Sequence, residues 1–498
     1  MPPYESINLH PSTHLTSSIK SHTYDVICIG SGWAGRIIAA RIVKAGLTAI
    51  IVEDELVGGD CPFWACVPSK ALLRPNEALE TAKSVGGARE RIYDSQKGVE
   101  VEAVFKRRDA FTANFDDSAV LVPLVENSGA HLVRGTGKIV GERKVKIEPL
   151  KGEAIELEAK YAVVICTGSE PIIPDVPGLR EAKPWTPREA TSSSEVPEHL
   201  LVIGGGAVGS EMATAYSSFG AKVTLVNSTE EILSKVDPEA GKLVRESLSS
   251  HGVQIIVSAK ITEVSREANK SVNVKLSNGD IITASEILVA VGRRAKTTGI
   301  GLEELGLKAD GTPIPVDESL CVDSVLGGWL YAAGDVNGRA PLTHSSKYHG
   351  RIVSNTIISK LNKLPESRVA WGRISATADR RAMPQVIFTD PTVASVGLTR
   401  TRAQAAGITF REVTAPAKTL GAILHADGYQ EGWAQWIIEE ISNKLLGATF
   451  VGRDVADLLH ASTMAIVGGM TIEQMAHAVP SFPTMSEVYL NLLDAAGL

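Results

Sequence analysis

Two stretches of this chain repeat one strand–turn–helix–strand pattern around a glycine triplet, and that repetition leaves little choice of fold. Residues 25–53 read DVICIGSGWAGRIIAARIVKAGLTAIIVE. An apolar strand runs into Gly30, Gly32 and Gly35 in G-x-G-x-x-G spacing, a helical pattern follows, and a second strand ends at Glu53. In such a unit the first glycine makes a tight turn, the second admits a pyrophosphate, and the third lets helix and strand pack closely. Glu53 stands where an acid binds a ribose hydroxyl. The pattern recurs at 200–227, LLVIGGGAVGSEMATAYSSFGAKVTLVN, with Gly204, Gly206 and Gly209 as its triplet. The expected fold class is therefore α/β with two Rossmann-like dinucleotide-binding domains. A tightly held flavin plus an exchangeable nicotinamide is the economical pairing; the alternative is a second unit that binds nothing. In the second unit the acid's place is taken by Asn227, followed by Ser228, Thr229, Glu230 and Glu231. Asn227 does not repel a 2′-phosphate, and no arginine follows to attract one. NAD(P)H is expected, with NADPH slightly favoured.

Residues 58–70, GGDCPFWACVPSK, place Cys61 and Cys66 five positions apart. Pro62 is suited to the start of a helix, where the positive end of the dipole favours thiolate over thiol. The stretch reads either as a redox couple or as two buried cysteines, since free cysteine is commonly buried. The chain has only five cysteines in 498 residues, which is no disulfide framework. It fits a reducing, cytoplasmic setting with at most one working pair. A net charge of −7 argues against nucleic acid as a partner. No apolar run reaches the ~18 residues that a membrane span needs. Residues 1–24 lack the apolar core of a secretory signal and lack arginine, so a flexible polar arm is expected. The histidines and cysteines show no metal-ligand spacing, and no metal site is expected.

Two later strands end in sharp turns: AVVICTGSEPIIP at 162–174, with Thr167 and Gly168, and WLYAAGDVNG at 329–338, with Gly334 and Asp335. A carboxylate at the C-terminal edge of such a sheet is where ligands bind, or an ordinary turn aspartate. Taken together, these pieces closely resemble the pyridine nucleotide–disulfide oxidoreductases of the dihydrolipoamide dehydrogenase, glutathione reductase and mercuric reductase type. GGDCPFWACVPSKALL is similar to that family's active-site helix, and IFTDPTVASVGLT (387–399) looks like the start of its interface domain.

The resemblance implies a layout. An FAD-binding domain would span 25–180 and 305–372, an NAD(P)-binding domain 181–304, and an α+β dimerisation domain 373–498, making a homodimer. It also implies roles: Cys66 as the thiolate facing the flavin, Cys61 as the interchange thiol, and Lys70 by the flavin, paired with Glu211. Asp335 would hold the flavin's ribityl or phosphate portion. Gly59, Thr167, Gly168, Gly334 and His344 would border that cofactor, and Gly292 would line a nucleotide site. A solvated helix lysine is the plain alternative for Lys70.

One departure stands out. The family's C-terminal H-P-T-x-S-E, whose histidine is its acid–base, reads FPTMSE here: Glu487 remains and Phe482 takes the histidine's place. Such general acid–base help is worth ~10²–10⁴-fold. His477, five residues earlier, is one replacement candidate, or an exposed helix-end histidine; His344, His349 and Tyr489 are others. Phe63 and Trp64 replace the small residues usual between the cysteines, and either line a site for an apolar substrate or fill a core gap. With Phe482 they lead to the expectation of an apolar substrate face. The C-terminal cysteine pairs of mercuric and large thioredoxin reductases are absent, since the last cysteine is Cys321. The expected activity is NAD(P)H-linked reduction of a small disulfide, or oxidation of a dithiol. Alternatives are a non-disulfide acceptor such as a quinone or oxygen, and a non-enzymatic flavin-bound redox sensor.

Overall fold

The computed structural model describes residues 6–93, 98–267, 271–364, 369–429 and 432–498. Residues 1–5 of the expected arm lie outside the described residues. The chain divides into two compact units, each assembled from separated segments: unit 1 is 1–68, 109–171 and 293–380, and unit 2 is 69–108, 172–292 and 381–498.

Unit 1 is built on β1 (Thr23–Ile29), α1 (Trp33–Lys44) and β2 (Ala49–Glu53). β1 is buried from its second residue onward. Such a near-continuous apolar run is what a parallel strand covered on both faces requires. β1 pairs in parallel with β2 on one side and with Ile155–Ile165 on the other, in register Val26 with Ala49 and with Ala162. The strand His131–Arg134 extends the sheet beyond β2, and Leu330–Ala332 adds a parallel strand against Ile155–Ile165. Alternate side chains fill two cores, Val26, Cys28 and Ile51 on one face and Ile27, Ile29 and Ile50 on the other. The segment after residue 5 lies along this unit. Ile7 and Leu9 pack on an apolar cluster, Thr16 is buried, and the His14 carbonyl accepts the Arg134 N–H at 2.9 Å.

Unit 2 holds the second nucleotide fold. A four-stranded parallel sheet runs in the order Gln254–Ile256, Lys222–Val226, His199–Ile203, Glu286–Val289, with the helix Ala207–Ser218 after the central strand. A three-stranded antiparallel meander, Ile261–Arg266 to Ile281–Ala284, follows the sheet's third strand in the chain. The C-terminal segment forms a five-stranded antiparallel sheet covered by the helices Val455–Gly468 and Val488–Ala496, around fully buried Trp436 and Phe450. The class is α/β with two dinucleotide-type folds and an α+β C-terminal part.

Candidate active site

The cysteine stretch departs from one continuous helix start. A single turn, α2 (Asp60–Phe63), carries Cys61, and α3 (Cys66–Lys83) begins at Cys66. The chain leaves helical geometry at Trp64 (φ −127°, ψ −3°). The reason is burial: Phe63 and Trp64 are 1% and 2% exposed, in a cluster with Leu56 and Phe115, and the Trp64 and Phe115 rings stack at 5.1 Å. These aromatics therefore fill core space and do not line a substrate face, which corrects the apolar-mouth expectation. The two cysteines that flank these rings in sequence are themselves only half-buried.

The two thiols lie within hydrogen-bonding reach of each other, and the Cys66 Sγ sits 3.0 Å from the Thr343 hydroxyl. Cys61 is acidified from the ordinary thiol value to about 6. The hydrogen bond from Cys66 is the largest cause, helped by Thr343, Trp33 and the Lys347 ammonium, against the opposing effect of burial. The other cysteines behave oppositely. Burial pushes Cys28 up to about 12 and raises Cys166, and Cys321 is buried too. The thiolate is the nucleophilic form of cysteine, and Cys61 is shifted toward it while Cys28 and Cys166 are shifted away.

Around this pair, unit 1 is shaped for a dinucleotide. Gly30 has φ +105°, and a Cβ there would meet the Cys166 carbonyl at 2.4 Å; a Cβ on Gly35 would come within 2.1 Å of the Gly30 carbonyl. Gly32 faces open space, as do Gly168 and Gly206. That open cradle at the start of α1 is where backbone N–H groups receive a phosphate. Glu53 is buried and accepts the Ser31 N–H at 2.8 Å and its hydroxyl at 2.5 Å. Burial first, and then the neighbouring Asp54 carboxylate, raise Glu53 to about 7. The Asp335 carboxylate accepts from Ser169 at 2.7 Å, and Ser169 also accepts from Arg293 Nε at 2.7 Å. Arg293 reaches Asp60, the residue before Cys61, at 2.5 Å. The Thr167 hydroxyl donates to the Lys296 carbonyl at 2.6 Å, and Gly59 caps α2 with φ +71°. The residues present fit FAD: a phosphate cradle, an acid at the ribose position and a carboxylate at the strand edge.

In unit 2, Lys70 Nζ donates to Glu211 Oε2 at 2.7 Å and lies 4.8 Å from the centre of the Phe388 ring. The glycine turn repeats the first: a Cβ on Gly209 would meet the Gly204 carbonyl at 1.9 Å. Asn227 is buried and turned onto its own loop. It accepts the Gly205 N–H at 3.0 Å and donates to Thr229 and to the Glu231 carbonyl. Gly292 (φ +136°) gives its carbonyl to Ile172 at 3.0 Å. The C-terminal candidates are dispersed. His477 is exposed, Phe482 is 71% exposed, and Glu487 accepts the Gly421 N–H at 3.1 Å. Tyr489, bonded to Ser462 and pushed up to about 12 by burial, stays a neutral packing phenol.

His344 is exposed at the start of the Thr343–Leu361 helix. Fully buried His349 is the structural one. Its Nδ1 accepts the Gly334 N–H at 3.0 Å, which leaves Nε2 to donate to Asp379 at 2.8 Å, fixing the turn that presents Asp335. Sequence reasoning missed Thr343, Trp33, Arg36 and Lys347. Trp33 carried a readable signal, a bulky aromatic inside a glycine turn. The others emerge only when α1 and the Thr343–Leu361 helix pack together.

Comparison with known proteins agrees with this geometry. The family model described as pyridine nucleotide-disulphide oxidoreductase matches residues 24–350, and that family's dimerisation domain matches 383–492. A dihydrolipoyl dehydrogenase of Rhizobium etli is 32% identical over 96% of this chain and 99% of its own length. A mercuric reductase of Staphylococcus aureus is 28% identical over 96% of this chain and 83% of its own. Among solved structures, the HOCl-induced flavoprotein disulfide reductase RclA of Escherichia coli superposes with a TM-score of 0.78 at 22% identity, covering 95% of this chain and 99% of that one. LpdA of Mycobacterium tuberculosis gives 0.78 at 23%, with the same coverage. Among the described residues, no helix is long and apolar enough to cross a membrane.

Proposed function

We propose, because the chain belongs to the pyridine nucleotide-disulphide oxidoreductase family, that this FAD-dependent oxidoreductase reduces a small disulfide through Cys61 and Cys66. The observation that carries the reading is the pair of touching thiols beside Thr343, one of them acidified, in a chain whose other described cysteines are buried. Bound FAD supplies a two-electron relay between a nicotinamide and a sulfur couple. The chain's own residues do the rest. The Cys61 thiolate attacks one sulfur of the substrate disulfide, forming a mixed disulfide and releasing one substrate thiolate. Cys66, held by Thr343, then attacks Cys61 Sγ, closing a Cys61–Cys66 disulfide and releasing the second. Lys70 and Glu211 line the nicotinamide side, with Asn227 bracing the loop at the ribose. NADPH is preferred slightly over NADH, since Asn227 is uncharged and Glu231 is paired with Arg245 at 3.3 Å. The working form is a homodimer joined through the 373–498 segment, where Val479 and Phe482 present 85% and 71% of their surface.

A second reading keeps flavin and nicotinamide but passes electrons to a non-disulfide acceptor such as a quinone or oxygen. Phe482 favours it, because a phenyl ring cannot return a proton to a leaving thiolate. Anaerobic reduction with NADPH and NADH, followed by disulfide, quinone or oxygen, separates the two. Reoxidation by disulfide that is abolished in Cys61→Ala supports the first. Reoxidation by quinone alone, unaffected in Cys61→Ala, rejects it in favour of the second.

A further inference from the structure

Trp33 opens α1 with two cations over its indole. Lys347 Nζ lies 3.8 Å and the Arg36 guanidinium carbon 4.4 Å from the ring centre. Both distances are well inside the ~6 Å range of cation–π attraction. Arg36 sits one turn along α1, so the pairing follows from i,i+3 spacing. Lys347 arrives from the Thr343–Leu361 helix, which comes so close to α1 that a Cβ on Gly350 would meet Ile37 Cγ2 at 2.7 Å. Arg41 clamps the same two helices through Asn355 at 2.8 Å. Among the described residues no carboxylate is within ion-pair distance of Arg36 or Lys347, and the buried Nε and Nη2 of Arg36 have no hydrogen-bond partner. Neither helix contains an acidic residue: α1 reads WAGRIIAARIVK and its neighbour THSSKYHGRIVSNTIISKL.

The stack stands beside the Cys61 sulfur. Trp33 and Lys347 both act on that thiol, and the thiol in turn acts on Arg36. The other groups facing Cys61 are few. Cys66 and the Thr343 hydroxyl touch it; Asp60, its chain neighbour, is tied to Arg293; Glu53 lies behind Arg36. Two cations held against one ring thus lie beside this thiol, in a chain whose C-terminal signature carries Phe482 where the family has its histidine.

We infer that the Lys347–Trp33–Arg36 stack is an electrostatic brace that holds Cys61 as a thiolate at neutral pH, so that this thiol needs no imidazole base. The step is an ionisation alone: the Cys61 S–H bond breaks, the proton passes to solvent, and the electron pair stays on sulfur facing the two cations. Trp33, Arg36 and Lys347 are positioning residues here. The inference rests on Cys61 being the interchange thiol.

The test uses the FAD-loaded enzyme reduced by NADPH without oxygen. Iodoacetamide alkylation of Cys61 is followed by mass spectrometry of its peptide across pH, so turnover is not the readout. Lys347→Met is expected to raise the pH midpoint of alkylation by about one unit, as loss of a nearby opposite charge does, with about a fivefold slower reaction at pH 6. Arg36→Met moves it in the same direction, and Lys347→Arg restores the original midpoint. Midpoints unchanged in both Met variants overturn the brace. A low midpoint that rises in Lys347→Met, in an enzyme that turns over no disulfide, sinks the substrate reading and leaves the brace standing.

Discussion

Glu211 uses both carboxylate oxygens: Oε2 accepts from Lys70 at 2.7 Å, and Oε1 accepts the Phe388 backbone N–H at 2.9 Å. One buried side chain thus ties α3 to the entry of the C-terminal sheet within unit 2. Its removal orphans a backbone donor as well as an ammonium. Glu211→Ala is expected to lower unfolding stability by about 1–3 kcal/mol, the cost of buried groups left unpaired. Glu211→Gln keeps a carbonyl oxygen for Phe388 and loses distinctly less. Urea unfolding of the two variants checks this; equal losses would show that the Phe388 bond carries nothing.

Trp64 supplies the second prediction. It is stacked on Phe115 inside a buried cluster. Trp64→Ala is expected to cost about 3–5 kcal/mol, the usual range for emptying a buried aromatic site. Among molecules that fold, KM for the proposed disulfide substrate stays within twofold of wild type. A large rise in KM at unchanged stability would return Trp64 to the substrate face.

Both nucleotide folds were legible because glycine triplets between apolar strands have one packing solution, and Gly30 and Gly204 adopt the positive φ that such turns need. The paired cysteines were legible as a motif. Their surroundings were not, because the brace on Cys61 joins residues 33 and 36 to residue 347, a separation no local pattern encodes. Phe63 and Trp64 misled for a related reason. Sequence gives the size of a side chain, whereas the break at Trp64 decides which way it points. His349 outranks His344 structurally because helical phase buries one and exposes the other, five positions apart on one helix.

Nicotinamide choice is open to a single substitution. Asn227 follows the second strand of the second fold as a neutral amide bonded to the glycine turn, the place proposed above for the ribose. Asn227→Asp places a charge there at nearly constant shape. Repulsion of a 2′-phosphate is then expected to shift the NADPH-to-NADH ratio of kcat/KM about tenfold toward NADH, or ~1.4 kcal/mol. Loosening of the loop through loss of the bonds to Thr229 and Glu231 affects both nucleotides, so the ratio isolates the charge. An unchanged ratio would place the 2′ position away from residue 227.

Glu53 gives the enzyme a pH dependence of predictable sign in the apoprotein. Burial and the Asp54 carboxylate raise it from 4.5 to about 7. The folded state therefore binds this proton more tightly than the unfolded chain, so stability falls with rising pH between the two values. That contribution is fully present below about pH 4.5 and is lost as pH climbs toward 7. Against burial, the neighbouring Asp54 is lowered by the Lys296 ammonium and then by the hydrogen bond from Glu53, so the two carboxyls share one charge across this window. Glu53→Gln imitates the protonated form and keeps a carbonyl for the Ser31 donors. It is expected to flatten the fall in the urea midpoint between pH 4.5 and 7. A ribose hydroxyl donating to the ionised carboxylate would oppose the effect, so adding FAD to the wild type should flatten the same slope. If the variant and wild type lose stability in parallel over this range, the carboxyl is ionised throughout and the buried Ser31 contact is that of an anion.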